Sequence, residues 1–326
     1  MNNLKKIGLS ALAGSLVAFS ANAVETSISG GATMYMSNGV DTAATTFSME
    51  DSITFSASGQ TEGGIDVSIS LELDGNAPAD AAGSNVLDSR SIKFGTAELG
   101  TVTFAGHGGS SVMGGWDDVT PNAYEEVWDG VTSADADVIG GFSGNNLIRY
   151  DSPSFSGVQL HAAYQNVGTD SAAAGSERVS TYSDFGISIS PEMVEGLSLG
   201  YAKGSYKTTA ALDGEESTMF VKYAYGPVTV GYQESEIDLG TAANTDESTA
   251  MSIAYAVSDN LSISYGTHDI DFGSGTTDQE ASGFSASYTM GGMTIAGMTN
   301  SVDNIGGSTT AADDKDGYEI SLSFAF

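Results

Sequence analysis

The last stretch of this chain limits its fold more than any other. Tyr318, Ile320, Leu322, Phe324 and Phe326 alternate with Glu319, Ser321, Ser323 and Ala325, and the chain closes on Phe326. Side chains alternate between faces along a strand, so a segment of period two shows one apolar face and one small or polar face. After Ala23 there is no uninterrupted apolar run near the ~18 residues that a spanning helix needs. A membrane protein without such a run must be a closed barrel, because only helices and barrels satisfy their backbone hydrogen bonds in lipid.

The other end reads as an export leader. Met1–Ala23 has a basic start at Lys5 and Lys6, an apolar stretch from Ile7 to Phe19, and Ala21-Asn22-Ala23 as a small-residue cleavage site. That is the layout of a secretory signal peptide and not of a membrane span. The expected organisation is a leader over 1–23, cut before Val24, and one transmembrane barrel domain over 24–326.

Composition narrows the function. The chain has no cysteine, so disulfides play no part even in an oxidising compartment. It holds 42 glycines but only 5 prolines, and its 40% of hydrophobic residues are patterned, which excludes disorder. The formal net charge of −32 excludes nucleic acid as a partner, since neutralising phosphates needs clustered Lys and Arg. The same acidity predicts solvated loops and an affinity for cations.

Segments of alternating polarity recur along the chain, separated by clusters of Gly, Asn, Asp and Ser. They lie at Thr26–Ser37, Thr46–Ser58, Ile65–Leu73, Leu87–Thr96, Thr101–His107, Asn146–Asp151, Val158–Val167 and Val179–Ser190. The rest are Leu197–Lys207, Ser217–Tyr225, Val228–Asp238, Glu247–Val257, Leu261–Asp271, Gln279–Met290, Met293–Val302 and Gly317–Phe326. Sixteen strands put both ends on one side of the membrane. Short turns such as Gly226-Pro227 and Gly291-Gly292 alternate with longer loops such as Asp74–Val86 and Asp303–Asp316, the asymmetry of an outer-membrane barrel. The expected fold is all-β: an antiparallel transmembrane barrel of sixteen strands. At that strand number an aqueous channel remains open.

One connection breaks the pattern of lengths. Gly108–Asn145, the third long loop, holds Asp117, Asp118, Glu125, Glu126, Asp129, Asp135 and Asp137 and no Lys or Arg. It also holds both tryptophans, Trp116 and Trp128, and Tyr124, which could anchor it against a wall. Long ordered loops in compact folds usually carry function.

Asn146-Leu147-Ile148-Arg149-Tyr150-Asp151-Ser152-Pro153, followed by Phe155 and Gly157, resembles the strand-and-turn motif of Gram-negative general porins of the alphaproteobacterial type. The terminal Phe326 resembles the assembly signal of bacterial outer-membrane barrels, and with the leader, the strand count and the place of the long loop the resemblance covers the whole chain. It implies a homotrimer in the outer-membrane lipid, each barrel a separate pore with its third loop folded inward. It implies passive diffusion of small hydrophilic solutes and ions, with no cofactor and no enzymatic activity.

Family members often oppose an acidic third loop to a basic cluster on the facing wall. Here the strand parity places Lys93, Arg149 and Lys222 in the lumen, scattered over separate strands, and puts Arg90 and Lys203 on the lipid side. The expected behaviour is mild cation selectivity set by the acidic loop. The paired acids Asp117-Asp118 and Glu125-Glu126, with Asp135 and Asp137, also supply oxygens that could bind Ca²⁺, although no EF-hand spacing is present. A substrate-specific outer-membrane channel is the nearest alternative, but no aromatic or arginine track is visible. His107, His161 and His268 lack any accompanying nucleophile motif or metal-ligand spacing.

Overall fold

A computed structural model describes residues 24–38, 45–74, 87–131, 134, 139, 144–166, 181–207, 213–240, 245–275 and 277–326. The leader lies outside them. The strands are β1 (Glu25–Ser37), β2 (Thr46–Gln60), β3 (Asp66–Asp74), β4 (Leu87–Thr96), β5 (Gly100–His107), β6 (Leu147–Asp151), β7 (Val158–Gln165) and β8 (Tyr182–Ile189). They continue as β9 (Leu197–Lys207), β10 (Asp213–Tyr225), β11 (Val228–Asp238), β12 (Thr245–Ala256), β13 (Leu261–Phe272), β14 (Gln279–Met290), β15 (Met293–Asp303) and β16 (Lys315–Ala325).

Each strand pairs antiparallel with its sequence neighbours, and β1 closes on β16 to complete the barrel. Phe326 lies just past β16 and exchanges two backbone hydrogen bonds with Gly30, both of 3.0 Å. Connections 61–65, 97–99, 152–157, 190–196, 226–227, 257–260 and 291–292 lie at one end of the barrel. The two-residue turn 291–292 depends on Gly291, whose φ of 62° is costly for a residue with a side chain.

Strands β4, β9, β11 and β14 have the bounds their alternation predicts, whereas β10 starts at Asp213 and not at Ser217. The extra turn of strand is polar, so apolar periodicity ends before it. Its backbone still pairs with β9 up to Lys207 and with β11 up to Asp238.

The outer face is apolar because it meets lipid. Val230, Ile253, Tyr265 and Phe284 form one register row across β11–β14, and each is exposed. Lys203 shares the outward parity of exposed Tyr201 and pairs with Glu215 at 3.0 Å, a surface contact of little energetic weight. Inward-facing positions differ around the barrel. On β1–β4 they are half-buried or exposed, whereas on β8–β15 many are buried. Something inside the barrel covers the second arc and leaves the first open.

Candidate functional site

The cover is the long third loop. Val112 and Met113 begin it, fully buried against the wall, with Met113 in a single 3₁₀ turn over Met113–Gly115. The Met113 amide donates to Asp184 Oδ2 of β8 at 2.9 Å. Trp116 stands edge-on to His161 of β7 and to Phe220 of β10, at centroid distances of 5.4 and 5.2 Å. Gln233 of β11 accepts from the Val119 amide at 2.9 Å and donates to the Trp116 carbonyl at 2.6 Å. Ser252 of β12 donates to the Pro121 carbonyl, and Ser264 of β13 accepts from the Ala123 amide. Beyond the bend, Asn300 of β15 donates to the Val127 carbonyl, and Trp128 lies over His268 of β13 at 4.2 Å.

A trench in the wall makes this close approach achievable. Lys222, Gly231, Ser252, Gly266, Gly283, Asn300 and Gly317 form one register row across β10–β16. A Cβ at Gly231 would lie 2.4 Å from Pro121 Cδ, and one at Gly266 would lie 2.9 Å from Val127 Cγ1. On β8, a Cβ at Gly186 would meet Val112 at 2.7 Å and Trp116 at 2.9 Å. Glycine inside a strand weakens it and often marks a place where another backbone comes close. That signal was present in the sequence and could have located the seat of the loop.

The bend carries the charge. Glu125, Glu126 and Asp129 each bring a carboxylate oxygen within 4.8 Å of the others. Burial raises the Glu125 carboxyl, and Glu126, Glu319 of β16 and Glu50 of β2 raise it further. Burial and a hydrogen bond with Asp129 push Glu126 up to about 7. Tyr124 donates to Glu319 Oε1 at 2.7 Å, and its phenol is held protonated by burial and by that carboxylate. Glu50 and Glu319 thus join the site although they lie far from the loop in sequence. Their inward parity was legible, but their nearness to the bend was not.

The other acids divide. Asp118 accepts from the Thr120 amide at 2.7 Å, Thr120 Oγ1 at 2.8 Å and Asn122 Nδ2 at 3.1 Å, so it shapes the loop; burial raises its carboxyl nonetheless. Asp117 is exposed and accepts from the Asp118 amide. Asp135 and Asp137 lie outside the described residues. Among the described residues, the group with metal-ligand proximity is Glu125, Glu126 and Asp129. One oxygen from each makes three of the six to eight oxygens that Ca²⁺ takes.

The three bases all face inward. Lys93 is exposed to the bore and shares a register row with Thr103 and Arg149. Lys222 sits on β10 at the end of the glycine row, away from that pair. Arg149 is the most engaged, with Nε on Asp151 at 3.1 Å and Nη1 on the Ser111 carbonyl at 2.9 Å. His161, also inward, is buried and bonds Asp151 and Ser188.

Residues 8–326 match the family of Gram-negative porins. Among solved structures, the anion-selective porin from Comamonas acidovorans superposes with a TM-score of 0.69 at 15% identity, covering 93% of this chain and 100% of that one. A mutant of the Rh. blastica porin does so with a TM-score of 0.64 at 16% identity, with the same coverage. At such identities the likeness concerns the fold. No curated protein matches this sequence.

Proposed function

Because this chain belongs to the Gram-negative porin family, and is therefore an outer-membrane channel for passive diffusion and not an enzyme, we propose that it is a mildly cation-selective pore for small hydrophilic solutes. One observation carries the sign of the preference: Glu125, Glu126 and Asp129 converge at the bend, and the wall carboxylates Glu50 and Glu319 lie within their electrostatic reach.

Distance decides which charges count. Two unit charges 4 Å apart interact by about 4 kcal/mol near a protein surface. Beyond a screening length of roughly 8–10 Å the effect is largely lost. Carboxylates on outer loops are therefore weak actors, while those at the bend act on every passing ion. Lys93 and Lys222 are the opposing wall charges, and Asp151 offsets the charge of Arg149. The Comamonas acidovorans porin shares this fold and is anion-selective, so the sign follows from the lining residues and not from the barrel.

The test is the zero-current potential of the purified protein in a planar bilayer under a KCl gradient. A cation-favouring potential that vanishes when Asp117, Asp118, Glu125, Glu126 and Asp129 are all neutralised supports the reading. An anion-favouring potential moves control to Lys93, Arg149 and Lys222, and absence of conductance from a folded barrel removes the channel itself. The reading includes a homotrimer, as the family resemblance implies, which the mass of the protein–detergent complex tests. It also includes removal of residues 1–23, for which an N-terminus at Val24 is the expected result.

A further inference from the structure

Ile148 and Tyr150 point outward, at 45% and 38% exposure, so the guanidinium of Arg149 between them points into the barrel. It does not stand free there. Nε donates to both oxygens of Asp151, at 3.1 and 3.3 Å. Nη1 donates to two backbone carbonyls at the start of the constriction loop, Ser111 at 2.9 Å and Ser110 at 3.4 Å. Gly115, in the 3₁₀ turn that follows, lies close by: a Cβ there would sit 3.3 Å from Nη1.

The arrangement continues behind Arg149. Asp151 Oδ1 lies 2.7 Å from His161 Nδ1, and His161 Nε2 lies 2.9 Å from Ser188 Oγ. A ring nitrogen facing a carboxylate carries the proton, so Nδ1 donates to Asp151, and in the neutral ring Nε2 accepts from the serine. Trp116, from the loop itself, meets the imidazole edge-on. Three groups on β6, β7 and β8 thus brace one guanidinium, whose Nη1 grips the loop backbone.

We infer that Arg149 is a positioning residue of the constriction loop, fixing where the acidic bend sits and so the size of the opening, and not setting the sign of ion preference. The inference rests on the channel reading above. A lone base on a pore wall would need no fixed acceptors. Arg149 has a carboxylate that offsets its charge and two carbonyls that use its geometry, and a planar fork supplies such paired donors where a lysine ammonium cannot.

The experiment compares wild type with Arg149→Lys, Arg149→Gln and Asp151→Asn in planar bilayers, reading unitary conductance, the size cut-off for neutral polymers and the zero-current potential. Positioning predicts that Arg149→Lys, though it keeps the charge, loses the single conductance level and admits larger polymers. Asp151→Asn should do the same, and in the charge-conserving Arg149→Lys the zero-current potential should stay close to wild type. If Arg149→Lys matches wild type in conductance and cut-off while Arg149→Gln shifts only the potential, Arg149 is a pore base and the inference falls. Should the Arg149 variants fail to assemble, Asp151→Asn leaves the arginine in place but takes away its carboxylate brace; unchanged conductance and cut-off there also overturn it. A wild-type barrel that does not conduct would instead overturn the channel reading.

Discussion

Pro121 of the constriction loop lies directly over Gly231 of β11, where a Cβ would come within 2.4 Å of Pro121 Cδ. The loop is therefore seated in the wall and not merely resting against it. Gly231→Val should test this seat. Valine suits a strand, so β11 keeps its pairing, while overpacking of this kind costs about 1–3 kcal/mol at the contact. The expected outcome is a folded barrel with raised, unsteady unitary conductance. A steady wild-type conductance would show that the loop does not depend on this contact.

Tyr124 and Glu319 separate anchoring from charge. Tyr124→Phe removes a hydrogen bond to a carboxylate, worth about 1.5–3 kcal/mol, and leaves the charge in place. Conductance should change and the cation preference persist. Glu319→Gln keeps an acceptor for the tyrosine but removes the charge, so the reverse is expected. Single-channel recordings of the two variants under one salt gradient decide it; identical behaviour would mean that this contact does not divide the two roles.

Selectivity should depend on pH through Glu126. Its carboxyl is pushed up to about 7, first by burial and then by its hydrogen bond with Asp129. Below that pH the group is neutral and above it negative, so cation preference should fall as pH drops from about 8 to about 6. Glu126→Gln should flatten the step. The linkage to stability has the same origin. A folded value above the unfolded one means that the folded state binds more protons between the ordinary carboxylate range and about 7, so this group's contribution falls as pH rises through that window.

Asp118 and Asp117 should behave differently despite being neighbours. Asp118→Ala strips the acceptor from Thr120 and Asn122 and should destabilise the loop by about 2 kcal/mol, seen as conductance noise. Asp117→Asn keeps its oxygen for the Asp118 amide and should lower cation preference without added noise. Noise from both variants would mean that Asp117 also shapes the turn.

Much of the architecture was open to reading from residue order. The alternation of Tyr318, Ile320, Leu322 and Phe324 is a property of a strand between two media, and it repeats wherever a strand crosses the barrel wall. The parity that turns Ile148 and Tyr150 outward also turns Arg149 inward, so the facing of a wall residue was decided locally. The acidity of the third loop and its tryptophans set it apart from the other connections.

Position inside the barrel was not open in that way. A loop has no period, and its path is set by contacts with residues distant in sequence. Glu125 meets Glu50 and Glu319 only because closure of β1 on β16 brings both near the bend. Asp118 and Asp117 look equivalent in sequence, yet one is bound up in a turn and the other is exposed. Arg149 reads as a wall charge until the loop carbonyls of Ser110 and Ser111 are found on its fork. Sequence by itself determined the strands, their facing and their number, because each follows from a two-residue period in contact with lipid or water. Which carboxylates meet at the bend, and which groups bond the loop backbone, came from the three-dimensional fold, because Coulomb and hydrogen-bond energies depend on distance through space and not on separation along the chain.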